Sequence, residues 1–246
     1  MHEGRRFDIG VCGYFYYLDD EAGGHKDGTA IMTNVLTPRT RAKRMHQRAL
    51  YDQETVHAIL DAQPNCTVAY VIDGAPYATP TLQWREEDTI YWHGSSASRM
   101  LRKSVAHQVC VSVMLLDAMV MARSAFNHSC NYRSVMAFGE AFIVSDPAEK
   151  RLKLDHFVES LFPGRTALLR PMTDQEVKAT TILGLKLNEV SAKVRSGPPV
   201  DDDADYDLPI WAGLVPFSLQ PGTIIPDPRL LAGVEMPRHV AEFKIG

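Results

Sequence analysis

Cysteine is scarce in this 246-residue chain, with only Cys12, Cys66, Cys110 and Cys130. They are scattered and form no C-x-x-C pair, which excludes a zinc knuckle or a disulfide scaffold and fits reduced thiols in a cytoplasm. Long apolar runs are missing too: nothing approaches the roughly 20 residues that cross a bilayer. Glu3, Arg5, Arg6, Asp8, Asp19 and Asp20 interrupt the first twenty residues, so no signal-peptide core is expected there. No G-x-G-x-x-G and no Walker A lysine loop occurs, so the usual dinucleotide and P-loop signatures are out. The absence of G-x-S-x-G argues against a hydrolase elbow at Asp117, His128 and Ser129. Charge of one sign is not in excess: 26 Lys+Arg face 30 Asp+Glu, for a net −4, which does not describe a nucleic-acid coat. No metal site is expected either. His46 and His57 have no third ligand nearby, and the run Asp201 to Asp207 lacks the glycine and final glutamate of a calcium loop.

What remains is an ordinary globular composition, 45% hydrophobic and 23% charged. A chain of this length buries about 70% of its unfolded surface and needs no staple. Residues 1–37 stand apart. Aromatic residues Tyr14 to Tyr17 are followed by the glycine-rich stretch Glu21 to Gly28, which reads as an N-terminal extension ahead of one domain over 38–246. Arg39, Arg41, Lys43, Arg44 and Arg48 then form a basic segment, either an anion contact or a solvated arm.

Downstream, strand signals dominate. Asp52 caps an expected helix over 53–62 with Val56, Ile59 and Leu60 on one face. Strands are expected over 67–72 and 76–84, joined at Asp73-Gly74, because a type I′ turn needs positive φ at both positions. Further strands are expected over 89–92, 109–116, 134–144 (with Gly139 as a bulge) and 209–217, and a helix over 96–104. Asp146-Pro147-Ala148-Glu149 opens a helix that stops at Pro163-Gly164, and Thr173-Asp174-Gln175-Glu176 is a second capping box. Leu183, Leu185 and Leu187 alternate with polar or small residues at a strand period, and the acidic run 201–207 reads as a solvated loop. The sum is a mainly β antiparallel barrel with appended helices.

Two segments carry chemistry. In Tyr91-Trp92-His93-Gly94-Ser95-Ser96-Ala97-Ser98-Arg99, a strand meets a glycine turn and three serines, and a helix with Arg99, Arg102 and Lys103 follows. Amides at a helix start, hydroxyls and a guanidinium fork are what a phosphate requires, although serines at a helix start also serve simply as caps. The second, Met121 to Val135, is crowded with donors between apolar strands, as the lining of a polar pocket or as an exposed hairpin loop.

Together these segments resemble the pyridoxamine 5′-phosphate oxidase-like FMN-binding split barrels, nearest to the nitroimidazole-resistance-like flavin-nucleotide-binding branch. The resemblance rests on Asp73-Gly74-x-Pro76-Tyr77-x-x-Pro80, Tyr91-x-His93-Gly94-Ser95 with Ser98-Arg99, and Asn131-Tyr132-Arg133-Ser134-Val135 with Gly139. Asp146-x-x-Glu149-Lys150, Ser191-x-Lys193-x-Arg195-x-Gly197-Pro198-Pro199 and Trp211-Ala212-Gly213-x-x-Pro216 complete it, over about Thr37 to Pro228. It implies a six-stranded antiparallel split β-barrel that forms a homodimer with FMN at the subunit interface. It places Ser95, Ser96, Ser98 and Arg99 at the phosphate with Gly94, Arg102 and Lys103 beside them. Pro76, Thr79 and Thr81 would lie along the flavin ring, Asn131, Arg133 and Ser134 would contact it, and Trp211 would stack from the partner. His93 is the first catalytic candidate, as proton donor, haem ligand or structural hydrogen-bond partner, and His128 is the second. Met100 stands where the oxidases proper have lysine, and their arginine-rich ending is absent, which argues against vitamin B6 oxidation. The expected function is a cytoplasmic flavin-dependent oxidoreductase that takes a small-molecule substrate, with no membrane or nucleic-acid partner. The alternatives are a haem-handling protein, a deazaflavin in place of FMN, or a non-catalytic flavin module.

Overall fold

The computed structural model describes residues 36–245. The extension expected over 1–37 therefore lies, up to residue 35, outside the described residues.

Among the described residues ten antiparallel strands build one continuous sheet: β1 (Ala49–Leu50), β2 (Asn65–Ile72), β3 (Ala75–Glu86), β4 (Thr89–Ser95), β5 (Gln108–Met121), β6 (Ser129–Glu140), β7 (Phe142–Val144), β8 (Thr180–Lys186), β9 (Glu189–Arg195) and β10 (Gly213–Pro216). Their order is β1-β9-β6-β5-β2-β3-β4-β8-β7, with β10 against β5. The barrel class is as expected, and the larger strand number reflects short edge strands such as β1, β7 and β10, two to four residues each. Five α-helices among the described residues are added: α1 (Gln53–Ala62), α2 (Arg99–Ser104), α3 (Pro147–Leu161), α4 (Asp174–Ala179) and α5 (Arg238–Ala241). Among the described residues no helix is long and apolar enough to cross a membrane.

Local chemistry explains most boundaries. Asp52, Asp146 and Thr173 cap α1, α3 and α4 by accepting the N–H of the third helical residue, and Thr173 with Glu176 closes a full capping box. Asp73 (φ 49°) and Gly74 (φ 79°) supply the two positive φ angles of the β2–β3 hairpin.

Five expectations need correction. α2 starts at Arg99, three residues late, because Ser98 acts as its N-cap. The bulge lies between Leu116 and Ala118, not at Gly139. Gly139 is small for another reason: a Cβ there would stand 2.8 Å from Leu185 Cδ1. The expected strand 134–144 begins at Ser129 and is split at Ala141 into β6 and β7, and the strand 209–217 shrinks to β10. Asp201 is no solvated residue. Its side chain is fully buried and accepts from the Arg123 N–H (3.0 Å) and guanidinium (3.1 Å). The strand β9 was not foreseen as such, although its alternating Ser191, Lys193 and Arg195 carry the period.

The barrel interior is one apolar cluster in which Val56, Val68, Trp92, Leu101, Val111 and Leu183 have 1% exposure or less. A satellite cluster lies beneath α3, around Trp84, Tyr91, Leu154 and Ile182, with Phe142 and Phe157 packed on it. Burying each large side chain contributes about 1.5–3 kcal/mol.

Candidate functional site

The serine-arginine turn sits where β4 ends and α2 begins. Ser95, Ser96, Arg99, Arg102 and Lys103 are exposed, and Ser98 is half-buried. The expected amide cradle is mostly used internally. Ser96 N–H donates to Ala179 O (2.8 Å), Ala97 N–H to Ser95 Oγ (3.2 Å) and Ser98 N–H to Ser95 O (2.8 Å). Arg99 and Met100 retain N–H groups with no acceptor among the described residues. With only six residues, α2 adds little dipole, so the attraction for an anion rests on Arg99, Arg102 and Lys103. None of the three has an ion-pair partner among the described residues. Gly94 is pinned beneath: a Cβ there would meet Leu101 Cδ1 at 3.2 Å.

Arg99 is oriented from the neighbouring strand. Its guanidinium carbon stands 4.9 Å from the centre of the Tyr77 ring, a cation–π contact typical of arginine. Tyr77 in turn stacks on Tyr70 at 5.6 Å, whose hydroxyl shares a 3.0 Å hydrogen bond with Thr79. Pro76, Thr79 and Thr81 lie on the same stretch of β3. Over Ala75–Leu82, β3 pairs with β2 on one side, and β4 joins its other side only from Gln83 onward. The 75–82 backbone therefore has an open edge, where proline is tolerated. An arginine lacking a carboxylate, two free amides and an open strand edge thus lie together, a combination suited to a flat heterocycle that carries a phosphate.

His93 is set apart. Its ring lies 4.7 Å from Phe157 and 5.8 Å from Trp84, both edge-on. Nδ1 is buried without a partner among the described residues, and burial pushes the imidazole below its ordinary pKa. No hydrogen bond joins it to Ser95, Ser98 or Arg99. Nearby, Lys153 lies 4.5 Å over the Tyr91 ring and pairs with Glu86, which also accepts from Trp84 Nε1 at 2.9 Å. Burial works against this ammonium, but its bonds to Glu86 and Tyr91 hold its pKa above the ordinary value. Sequence reading missed this ion pair on the satellite core, and its one signal was a lysine on the apolar side of α3.

The remaining candidates lie at the other end of the sheet. Arg133 grips Asp117 at the bulge through three hydrogen bonds of 2.8–3.2 Å. Asn131 is buried, donates to Gly197 O (3.0 Å) and accepts from Arg195. Ser134 donates weakly to Lys193 O at 3.4 Å. Trp211 is 69% exposed and folds over Gly213, at the start of β10. Three strand spacings, about 14 Å, separate β6 from β3. The register adds to this: Ala78 is level with Cys110 and Phe138, several residues from Arg133 and Asn131 along β6. One chain therefore keeps Ser95, Ser98, Arg99 and Tyr77 apart from Asn131 and Arg133, and Trp211 lies further along, beyond the end of β5. Among the described residues no group of three or more His, Cys, Asp or Glu side chains is placed to hold a metal ion.

The sequence pattern described as pyridoxamine 5′-phosphate oxidase matches residues 52–194. No curated protein matches the chain. Among solved structures, the flavocytochrome Anf3 from Azotobacter vinelandii is 48% identical, with a TM-score of 0.83, covering 85% of this chain and 98% of its own. An FAD- and heme-binding protein from Mycobacterium smegmatis is 37% identical, with a TM-score of 0.77, covering 80% and 97% respectively. A candidate 5-nitroimidazole antibiotic resistance protein from Bacteroides thetaiotaomicron, 21% identical with a TM-score of 0.50, covers 59% of this chain and 86% of its own and shares the fold. The pattern match spans the capped α1, the β2–β3 hairpin, the serine-arginine turn and the β5–β6 pair, and on that match the chain belongs to the pyridoxamine 5′-phosphate oxidase family.

Proposed function

We propose that this chain is a cytoplasmic flavin-dependent oxidoreductase that works as a homodimer. The single observation carrying the reading is Arg99: exposed, oriented over Tyr77, beside the amides of Arg99 and Met100, and without a carboxylate. In this reading the flavin phosphate rests on Ser95, Ser96, Ser98 and Arg99 with Arg102 and Lys103 near, and the ring lies along the open edge of β3. The separation of these two groups within one chain supports an interface between copies, since a two-fold would set the Arg133 end of one copy against the Arg99 end of the other. FMN is the smallest flavin that satisfies these contacts, and the 37% identity to an FAD- and heme-binding protein adds FAD as a candidate. The flavin supplies the electron chemistry, and the chain positions it and excludes water. A nicotinamide dinucleotide is the proposed donor and a small organic molecule the acceptor.

A second reading, favoured by the 48% identity to a flavocytochrome, is that haem is bound as well. His93 is suited to ligation in being held neutral, but Phe157 covers it at 4.7 Å and α3 would have to shift.

The test is titration of the protein with FMN and with FAD, followed by flavin fluorescence. Arg99→Ala is expected to weaken binding by about 10–100-fold, the loss of a charge-assisted phosphate contact of roughly 1.5–3 kcal/mol. Unchanged affinity in that variant would overturn the site. A Soret band in the purified protein that His93→Ala abolishes would assign the haem; an unaltered band would place it elsewhere.

A further inference from the structure

Beyond β10 the chain does something the site does not require. From Leu214 to Met236 every residue is exposed. Within this stretch Phe217, Leu219, Ile224, Ile225, Leu230, Leu231, Val234 and Met236 are each at least 41% exposed, and Ile225 reaches 87%. Only Asp227, Arg229 and Glu235 are charged between 217 and 236. Solvated linkers have the opposite composition.

Both ends of this stretch are fixed. At its start β10 pairs with β5, and Phe217 N–H donates to Asp117 O at 2.9 Å. At its end α5 follows, and Phe243 stacks on Phe162 at the end of α3, 5.0 Å apart. Between Ser218 and Met236 the hydrogen bonds are local turns only: Leu230 N–H to Asp227 O, Val234 N–H to Leu231 O, and Arg229 N–H to the Asp227 carboxylate. No hydrogen bond or ion pair joins this segment to the rest of the described chain. Pro221, Pro226 and Pro228 stiffen it, which lowers the entropy cost of docking.

A second bare surface lies on the same chain. Val71, Leu82, Met114, Leu116 and Met136, on β2, β3, β5 and β6, are 40–57% exposed. Monomeric proteins rarely leave two such apolar surfaces open.

We propose that residues 218–236 form a strap that lies on this outer sheet face of a second copy of the chain, reciprocally. Nineteen residues reach up to about 65 Å extended, enough to cross a four-stranded face about 15 Å wide. The occupant follows from symmetry: an isologous contact sets strap on face and face on strap, so both bare surfaces are buried twice, whereas an unrelated partner would cover one. The strap starts beside the Arg133–Asp117 pair, so it also fixes how this end of the sheet meets the other copy. The inference rests on the homodimer proposed above.

The test places a benzoylphenylalanine photocrosslinker at position 231 of the full chain, with sedimentation velocity on the unmodified protein. The expected result is a dimer at micromolar concentration, and irradiation giving covalent dimers whose linked peptides map to β5 or β6. A dimer with only intrachain, strap-to-strap or no crosslinks overturns the strap and leaves the dimer standing; a monomer overturns both. Ile225→Asp with Leu231→Asp adds a readout independent of the probe. Both side chains are free in the single chain, so the monomer's circular dichroism is expected to be unchanged while dimerisation weakens about tenfold or more. Unaltered dimerisation would also overturn the strap.

Discussion

Individual residues in this barrel are constrained by what stands opposite them. Gly184 on β8 faces the Phe142 ring so closely that an added Cβ would overlap three of its carbons. Gly184→Ala is therefore expected to cost about 1–3 kcal/mol, the range for overpacking a filled core. The shift of the urea midpoint measures this, and an unchanged midpoint would mean that Phe142, which is only half-buried, swings aside freely. Cys66 is constrained by burial alone, which pushes its thiol up to about 12. None of this is visible in the local sequence, because glycine and cysteine carry no sign of the residue that will pack on them.

Elements are where sequence speaks most directly. The capping box of α4 was legible because hydrogen bonding between residues three apart needs no tertiary partner. Glu176 accepts there from the Thr173 N–H at 2.8 Å and pairs with Arg170. The Arg170 guanidinium, with Thr173, holds this carboxylate at about 2, well below its ordinary value. A depressed folded pKa favours the fold when the group is ionised, so its contribution is complete above about 4.5 and is lost as pH falls through about 2. Glu176→Gln is accordingly expected to be less stable than the parent at neutral pH, with the gap closing toward pH 2. Chemical denaturation across that range checks it, and a gap independent of pH would show that the ion plays no part.

At the scale of the molecule, the described residues divide into a barrel filled by one core and an α3 layer held on it by a smaller aromatic cluster. Phe157 joins the two, 5.1 Å from Trp84 and 4.7 Å from His93. Phe157→Ala is expected to raise hydrogen exchange across α3 while amides of β2, β5 and β6 keep their protection, because local opening follows local packing. Uniform acceleration would instead mean that barrel and layer unfold as one unit. The same division bears on His93, since loosening α3 exposes the imidazole that burial now holds neutral.

The sequence by itself determined the caps, the Asp73-Gly74 hairpin, the antiparallel barrel class and the serine-arginine turn, because each depends on short-range φ/ψ preference, side chain-to-backbone bonding or two-residue periodicity. Tertiary structure alone decided the rest. It buried Asp201 against Arg123, although five aspartates between 201 and 207 read as a solvated loop. It turned His93 toward Phe157, since the direction of a strand residue depends on which layer covers that face of the sheet. It also separated Arg133 from Arg99: strand order and register fix distances between residues far apart in sequence, and no local pattern encodes them.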